Sequence, residues 1–142
     1  MNFHKYYSGK KVAPILTIYI GGNHEACNHH KELYYGGWAA PNIYFMGYSN
    51  VIRYKGLKIG GISGIYKPGY YDRGYYEKIP CDQSIREYED SLEAAYHYRH
   101  IEISKLRSYQ QHLDIMLSHD WPSHMCEYGD LNTLLRIKPW FK

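Results

Sequence analysis

Ile15-Leu16-Thr17-Ile18-Tyr19-Ile20-Gly21-Gly22-Asn23-His24-Glu25 reads as a β-strand that runs into a polar turn. The first six residues are apolar except for Thr17, and four of them are β-branched, so a buried strand is expected over Ile15–Ile20. The Gly-Gly pair lifts Asn23, His24 and Glu25 to the carboxyl end of that strand. Ligands collect at this end of the sheet in α/β folds. A second apolar run, Leu113–Leu117, ends in Ser118-His119-Asp120-Trp121-Pro122. Two strands that each end in a His-bearing loop can bring Asn23, His24 and His119 to one place. Amide oxygen and imidazole nitrogen are both metal ligands, and an open metal site activates water.

The remaining pattern is that of an α/β layered fold. Residues 2–8 read as a helix end or loop, and Ser8-Gly9-Lys10-Lys11 as a turn. A short helix is expected over residues 26–34, closed by Gly36-Gly37. Ile43–Met46, Val51–Tyr54 and Leu57–Ile62 read as strands, with Lys55-Gly56 as the turn between the last two. Residues 63–82 carry three Gly, two Pro and five Tyr without a lasting period, so a long loop is expected. Leu92, Tyr96, Arg99, Ile103, Leu106 and Gln110 recur at helical spacing and predict one helix with Arg99 among apolar neighbours. Residues 130–137 read as a last short helix, stopped at Lys138-Pro139.

The 142 residues suffice for one domain with a core. The formal charge of +3 demands no polyanionic partner, but its distribution is uneven. Residues 1–80 carry ten Lys or Arg against four Asp or Glu, and residues 81–120 carry four against eight. A basic first half can guide a phosphate ligand to one face; uneven surface charge with no partner is the plain alternative. Cys27, Cys81 and Cys126 are odd in number and form no C-x-x-C pair, which argues against a disulfide framework and a zinc knuckle. They favour a reducing compartment. No apolar stretch approaches the ~20 residues of a membrane span, and the first residues lack a signal-peptide core. An intracellular protein is expected on these grounds.

GGNHE (21–25) followed by SHDWP (118–122) resembles the calcineurin-like metallophosphoesterases. The surrounding stretches narrow the resemblance to RNA lariat debranching enzymes. They are Phe3-His4-Lys5-Tyr6-Tyr7, Gly36-Gly37-Trp38, Asn42-Ile43-Tyr44, Gly60-Gly61-Ile62-Ser63-Gly64-Ile65-Tyr66, Asp114–Pro122 and Leu134-Leu135-Arg136-Ile137-Lys138-Pro139. The resemblance implies a layered β-sandwich flanked by helices, and two divalent metals per complete site, with Fe, Zn and Mn as the candidates. It implies hydrolysis of the 2′–5′ phosphodiester at the branch point of intron lariat RNA, in the nucleus or the cytoplasm. Such enzymes also carry an Asp-x-His or Cys-x-His pair, a metal-bridging Gly-Asp and a late His-x-His. None of these is found here, so the expectation for 1–142 is a single, incomplete domain from the middle of the catalytic region, inactive alone.

Carried over residue by residue, the resemblance makes Asn23 and His119 metal ligands and His24 the group beside the scissile phosphate. A near-neutral imidazole pKa suits His24 to donate a proton to the leaving oxygen. Glu25 and Asp120 are read as supports behind the ligands, and Trp121-Pro122 as packing that stops the strand. The competing reading of Asn23 is a cap for the helix that follows, and that of His24 is an ordinary surface histidine. The segment 63–82 falls at the place of the family's substrate-recognition loop. There Tyr66, Tyr70, Tyr71, Tyr75 and Tyr76 interleave with Lys67 and Arg73, a composition that stacks on unpaired bases and meets phosphates. In a chain with 18 Tyr, some fall in loops by composition alone. The segment 83–98 leads from an acidic stretch into the helix, and its carboxylates would repel RNA. Two alternatives remain: a metallophosphoesterase acting on nucleotides or phosphomonoesters, and a non-catalytic RNA-binding relic. Oligomeric state is not legible.

Overall fold

The computed structural model describes residues 2–75 and 94–139. Its elements, in order, begin with α1 (Phe3–Tyr7), β1 (Thr17–Tyr19), α2 (Cys27–Glu32), β2 (Gly37–Ala40) and β3 (Ile43–Phe45). They continue with β4 (Ser49–Tyr54), β5 (Leu57–Ile62), α3 (Pro68–Tyr71), α4 (His100–Arg107), β6 (Ile115–Ser118) and α5 (Leu131–Ile137). A 3-10 turn over Met125–Tyr128 precedes α5.

Mixed α/β content is arranged around two three-stranded sheets, β1-β3-β2 and β4-β5-β6. In the first, β1 runs parallel to β3 and β2 antiparallel to it, with a bulge between Trp38 and Ala40. In the second, β4 and β5 form a hairpin, and β6 returns parallel to β5 with Ile62 opposite Ser118. Lys55 and Gly56 both have positive φ, the conformation that a two-residue hairpin turn of matching twist requires. The sheets meet at Gly61. A Cβ there would lie 2.7 Å from Met46 Sδ and 2.9 Å from Ile20 Cγ2, so a side chain would push the layers apart. The core is small, with Phe45 and Met46 fully buried and Ala39, Ala40, Ile59 and Ile62 around them.

Several expectations are corrected. The strand expected over Ile15–Ile20 is shorter and not buried: β1 spans Thr17–Tyr19, and Ile15 is 75% exposed. The cause is its edge position, with β3 on one side only among the described residues. β6 is likewise an edge strand, mostly exposed, rather than the buried Leu113–Leu117. The single helix expected through 92–110 is interrupted. His97 forms a parallel bridge with Ile65, the Ile65 N–H donates to Tyr96 O, and the Tyr98 N–H donates to Ile65 O. Arg99 is extended, and α4 starts after it. Pairing with the 65 segment supplies those backbone groups with partners, so helical spacing in the sequence is overridden. β2 and the 3-10 turn were not expected. Within 63–82, residues 68–71 form one helical turn. Residues 76–82, including Tyr76, and residues 83–93 of the acidic segment lie outside the described residues.

Candidate active site

Three loops converge at the carboxyl ends of β1, β5 and β6. β1 delivers Gly21 and Gly22. The Gly21 N–H donates to Ser63 Oγ (3.0 Å), and Gly21 O accepts from the Gly64 N–H (2.8 Å). Ser63 Oγ in turn donates to Gly47 O (2.6 Å). The GGNHE turn is therefore fastened to the loop leaving β5. Glu25 closes the turn from the other side, where its Oε1 accepts the Gly22 N–H at 3.4 Å. Glu25 stands ahead of α2, whose N-cap is Ala26.

β6 delivers His119. Its ring lies against Gly22: a Cβ on residue 22 would sit 2.5 Å from His119 Cδ2 and 2.8 Å from Nε2. Only a glycine leaves room for the imidazole, and the two motifs, 97 residues apart in sequence, touch here. His119 Nδ1 lies 3.3 Å from Asp120 Oδ1. An Nδ1–H donated to that carboxylate leaves the Nε2 lone pair facing the glycine turn, the orientation a metal-ligating imidazole needs. Asp120 Oδ2 also accepts the Tyr66 N–H (2.7 Å), so one carboxylate orients the imidazole and holds the tyrosine-rich loop. Trp121, expected to pack, is 59% exposed.

Asn23 follows Gly22 directly and is half-buried. The helix-cap reading of Asn23 fails, since the N-cap of α2 is Ala26 and no side chain caps it. His24 is exposed at the tip of the turn. His30, behind the turn, is used internally. It stacks on Phe45 (4.0 Å, 12°) and lies 3.2 Å from the Tyr19 hydroxyl, and burial lowers its pKa. Burial, aided by Glu25, raises the Tyr19 pKa to about 12.

The amide oxygen of Asn23 and Nε2 of His119 suit a divalent metal's shell. No group of three or more His, Cys, Asp or Glu among the described residues could hold a metal ion. Open catalytic sites use about three protein ligands. Asn23 and His119 therefore fit as part of a coordination shell, not the whole of one.

Next to this turn lies an aromatic surface. Tyr66 is 50% exposed and meets Tyr71 edge-on at 5.4 Å. Tyr71 also contacts His100 edge-on (5.5 Å), and Tyr66 lies 6.0 Å from Tyr98. Tyr70 stacks on His97 (5.0 Å, 14°), with Lys67 and Arg73 cations 5.2 and 5.8 Å from its ring centre. Tyr75 turns inward against Tyr48 and Tyr34, and burial raises its pKa strongly. A cleft beside the GGNHE turn is lined by Gly22, Glu25, Cys27, Tyr75 and Tyr98. Tyr98, His97 and His100 were not singled out from sequence. The signal available was the run Tyr96-His97-Tyr98-Arg99-His100, four rings and a guanidinium in five residues.

No family model matches the chain. It is 52% identical over 140 residues to "Lariat debranching enzyme A" of Xenopus laevis, a match covering 99% of this chain and 25% of that protein. It is 49% identical over 140 residues to the human lariat debranching enzyme, with 99% and 25% covered. The Schizosaccharomyces pombe enzyme is 50% identical over 141 residues, with 99% and 29% covered. The chain spans about a quarter of the length of these curated relatives. With about half its residues identical to theirs across nearly its whole length, and with GGNHE and SHDWP folded against each other, the chain belongs to the lariat debranching enzyme family.

Proposed function

We propose that this chain forms part of the active site of a metal-dependent phosphodiesterase that opens the 2′–5′ linkage of branched lariat RNA during intron turnover in the nucleus. The observation that carries the reading is the packing of the His119 imidazole onto Gly22, which joins the two metal-ligand motifs. Kinship to lariat debranching enzymes supports the substrate class. A bound divalent metal would supply Lewis-acid activation of water and charge neutralisation at the phosphoryl group. Asn23 and His119 would hold it. An Nδ1–H of His119 donated to Asp120 would leave Nε2 available to the metal. His24, exposed and one residue past Asn23, would donate a proton to the departing 2′ oxygen without itself being a ligand. Tyr66, Tyr70 and Tyr71, with Lys67 and Arg73, would receive the splayed bases and phosphates around the branch. Tyr75 supports that surface from beneath, and Tyr76 is carried by sequence alone.

The test is a chimera in which this chain replaces the matching quarter of the Xenopus laevis relative, assayed on branched RNA and on a nitrophenyl phosphate ester. Preference for branched RNA supports the reading; equal or better turnover of the small ester replaces it with a general phosphoesterase. In the chimera, His119→Ala should lose metal and activity together. His24→Ala should keep its metal and slow the chemical step by roughly 10²–10⁴-fold. A His24→Ala chimera with full activity, or one that loses metal as His119→Ala does, breaks this division of labour.

A further inference from the structure

Arg99 is the side chain that the site as described does not use and that the fold treats most unusually. It is 1% exposed, in the extended residue that separates the bridge at His97 from α4. Its Nη1 donates to His97 O (2.6 Å), its Nη2 to Ala94 O (3.0 Å), and its Nε to Gly74 O (3.4 Å). The guanidinium also lies 4.7 Å from the ring centre of Tyr75 and 5.3 Å from that of Tyr70. Burying a cation is costly unless its hydrogens are satisfied, and a compact ammonium does not reproduce the planar fork that reaches three carbonyls beside two aromatic rings.

These partners come from two separate places. Ala94 and His97 belong to the chain's approach to α4; Gly74, Tyr70 and Tyr75 belong to the tyrosine-rich loop. α4 is itself anchored independently. Glu102, fully buried one turn along, accepts hydrogen bonds from Tyr34, Ser49 and Lys105, which tie the helix to β4 and to the segment after α2. Glu102 therefore fixes α4 to the sheet, and Arg99 fixes the loop to α4.

We propose that Arg99 is a positioning residue for the ligand-binding loop: it sets residues 66–75 in the orientation that presents Tyr66, Tyr70 and Tyr71 beside the GGNHE turn. In its ligand this inference rests on the lariat RNA reading; in its geometry it does not. Arg99 touches no substrate on this account. It acts through the tyrosines.

The experiment compares the wild-type chain with Arg99→Lys and Arg99→Ala by hydrogen exchange and by binding of a fluorescent branched oligoribonucleotide. In both variants, amide protection over residues 66–75 should fall at least tenfold while the β4–β5 hairpin, residues 49–62, keeps its protection. Affinity for the branched oligonucleotide should fall about tenfold, the loss of roughly one stacked base. Arg99→Lys should not rescue, because the missing feature is the planar fork rather than the charge. Unchanged protection in the loop, or hairpin protection lost in step with it, overturns the positioning role. Loosened loops with unchanged RNA affinity overturn its link to the ligand. If the wild-type chain does not bind branched RNA at all, the lariat reading falls, and the exchange result alone decides whether Arg99 positions the loop.

Discussion

The contact between Gly22 and His119 shows how one missing side chain can decide whether a site forms. The imidazole occupies the space where a Cβ would stand, at 2.5 and 2.8 Å from two of its atoms. The glycine turn cannot yield easily, since the Gly21 N–H and C=O are both hydrogen-bonded to the loop after β5, and the Asp120 carboxylate beside the ring is held by the Tyr66 N–H. Gly22→Ala should therefore rotate His119 off its position and lower activity of the chimera by about 10²-fold, as a ligand displaced by about an ångström does. Gly129→Ala, where a Cβ meets nothing within 4 Å, should leave the rate unchanged. Metal content and branched-RNA turnover of both variants check this; full activity in Gly22→Ala would mean that the ring can be accommodated elsewhere. The placement of Asn23 and His119 just beyond strand ends was readable from sequence, because an apolar run that breaks into a polar turn marks itself. The Gly22 contact was not, because nothing in sequence spacing reports proximity across 97 residues.

At the level of elements, the sequence was most legible where local chemistry dictates the outcome. Lys55-Gly56 forces a tight turn, and β5 was read to the residue as Leu57–Ile62. It was least legible where tertiary pairing overrides local preference. The 92–110 periodicity is helical, yet pairing of His97 with Ile65 breaks it, and Arg99 satisfies the carbonyls left over. Edge strands were misjudged for a related reason, since apolar composition cannot say whether a partner layer covers a strand. α5 offers a local test. Its N-cap Asp130 accepts the Thr133 N–H at 3.0 Å, and that bond holds the carboxyl below the ordinary range. A carboxylate depressed in the folded state stabilises the fold above its unfolded pKa, and the effect is lost as pH falls through the folded value. The Thr133 amide should therefore lose protection as pH drops below about 4. Asp130→Ala should show weak protection throughout, with that pH dependence gone. Exchange across a pH series measures both.

On the scale of the whole molecule, the two sheets leave apolar surface uncovered. Ile115, Met116, Trp121 and Met125 are each more than two-fifths exposed around β6 and the turn that follows, and Ile15 and Trp38 are exposed on the other sheet. A second cleft, lined by Ile18, Ile20, Met116, Leu117 and Trp121, joins the two edge strands β1 and β6. Unpaired strand edges beside exposed apolar side chains favour association with another copy. Studied by itself, the chain should associate in a concentration-dependent way and melt broadly. Met116→Lys with Trp121→Ser places a charge and a hydroxyl in the patch without touching Gly22 or His119, and should shift the population toward monomer. Sedimentation velocity over a hundredfold concentration range, with calorimetric melts, tests the expectation. A monomer at every concentration with a sharp two-state transition would show that the small core around Phe45 and Met46 is sufficient by itself and that the uncovered faces carry no drive to associate.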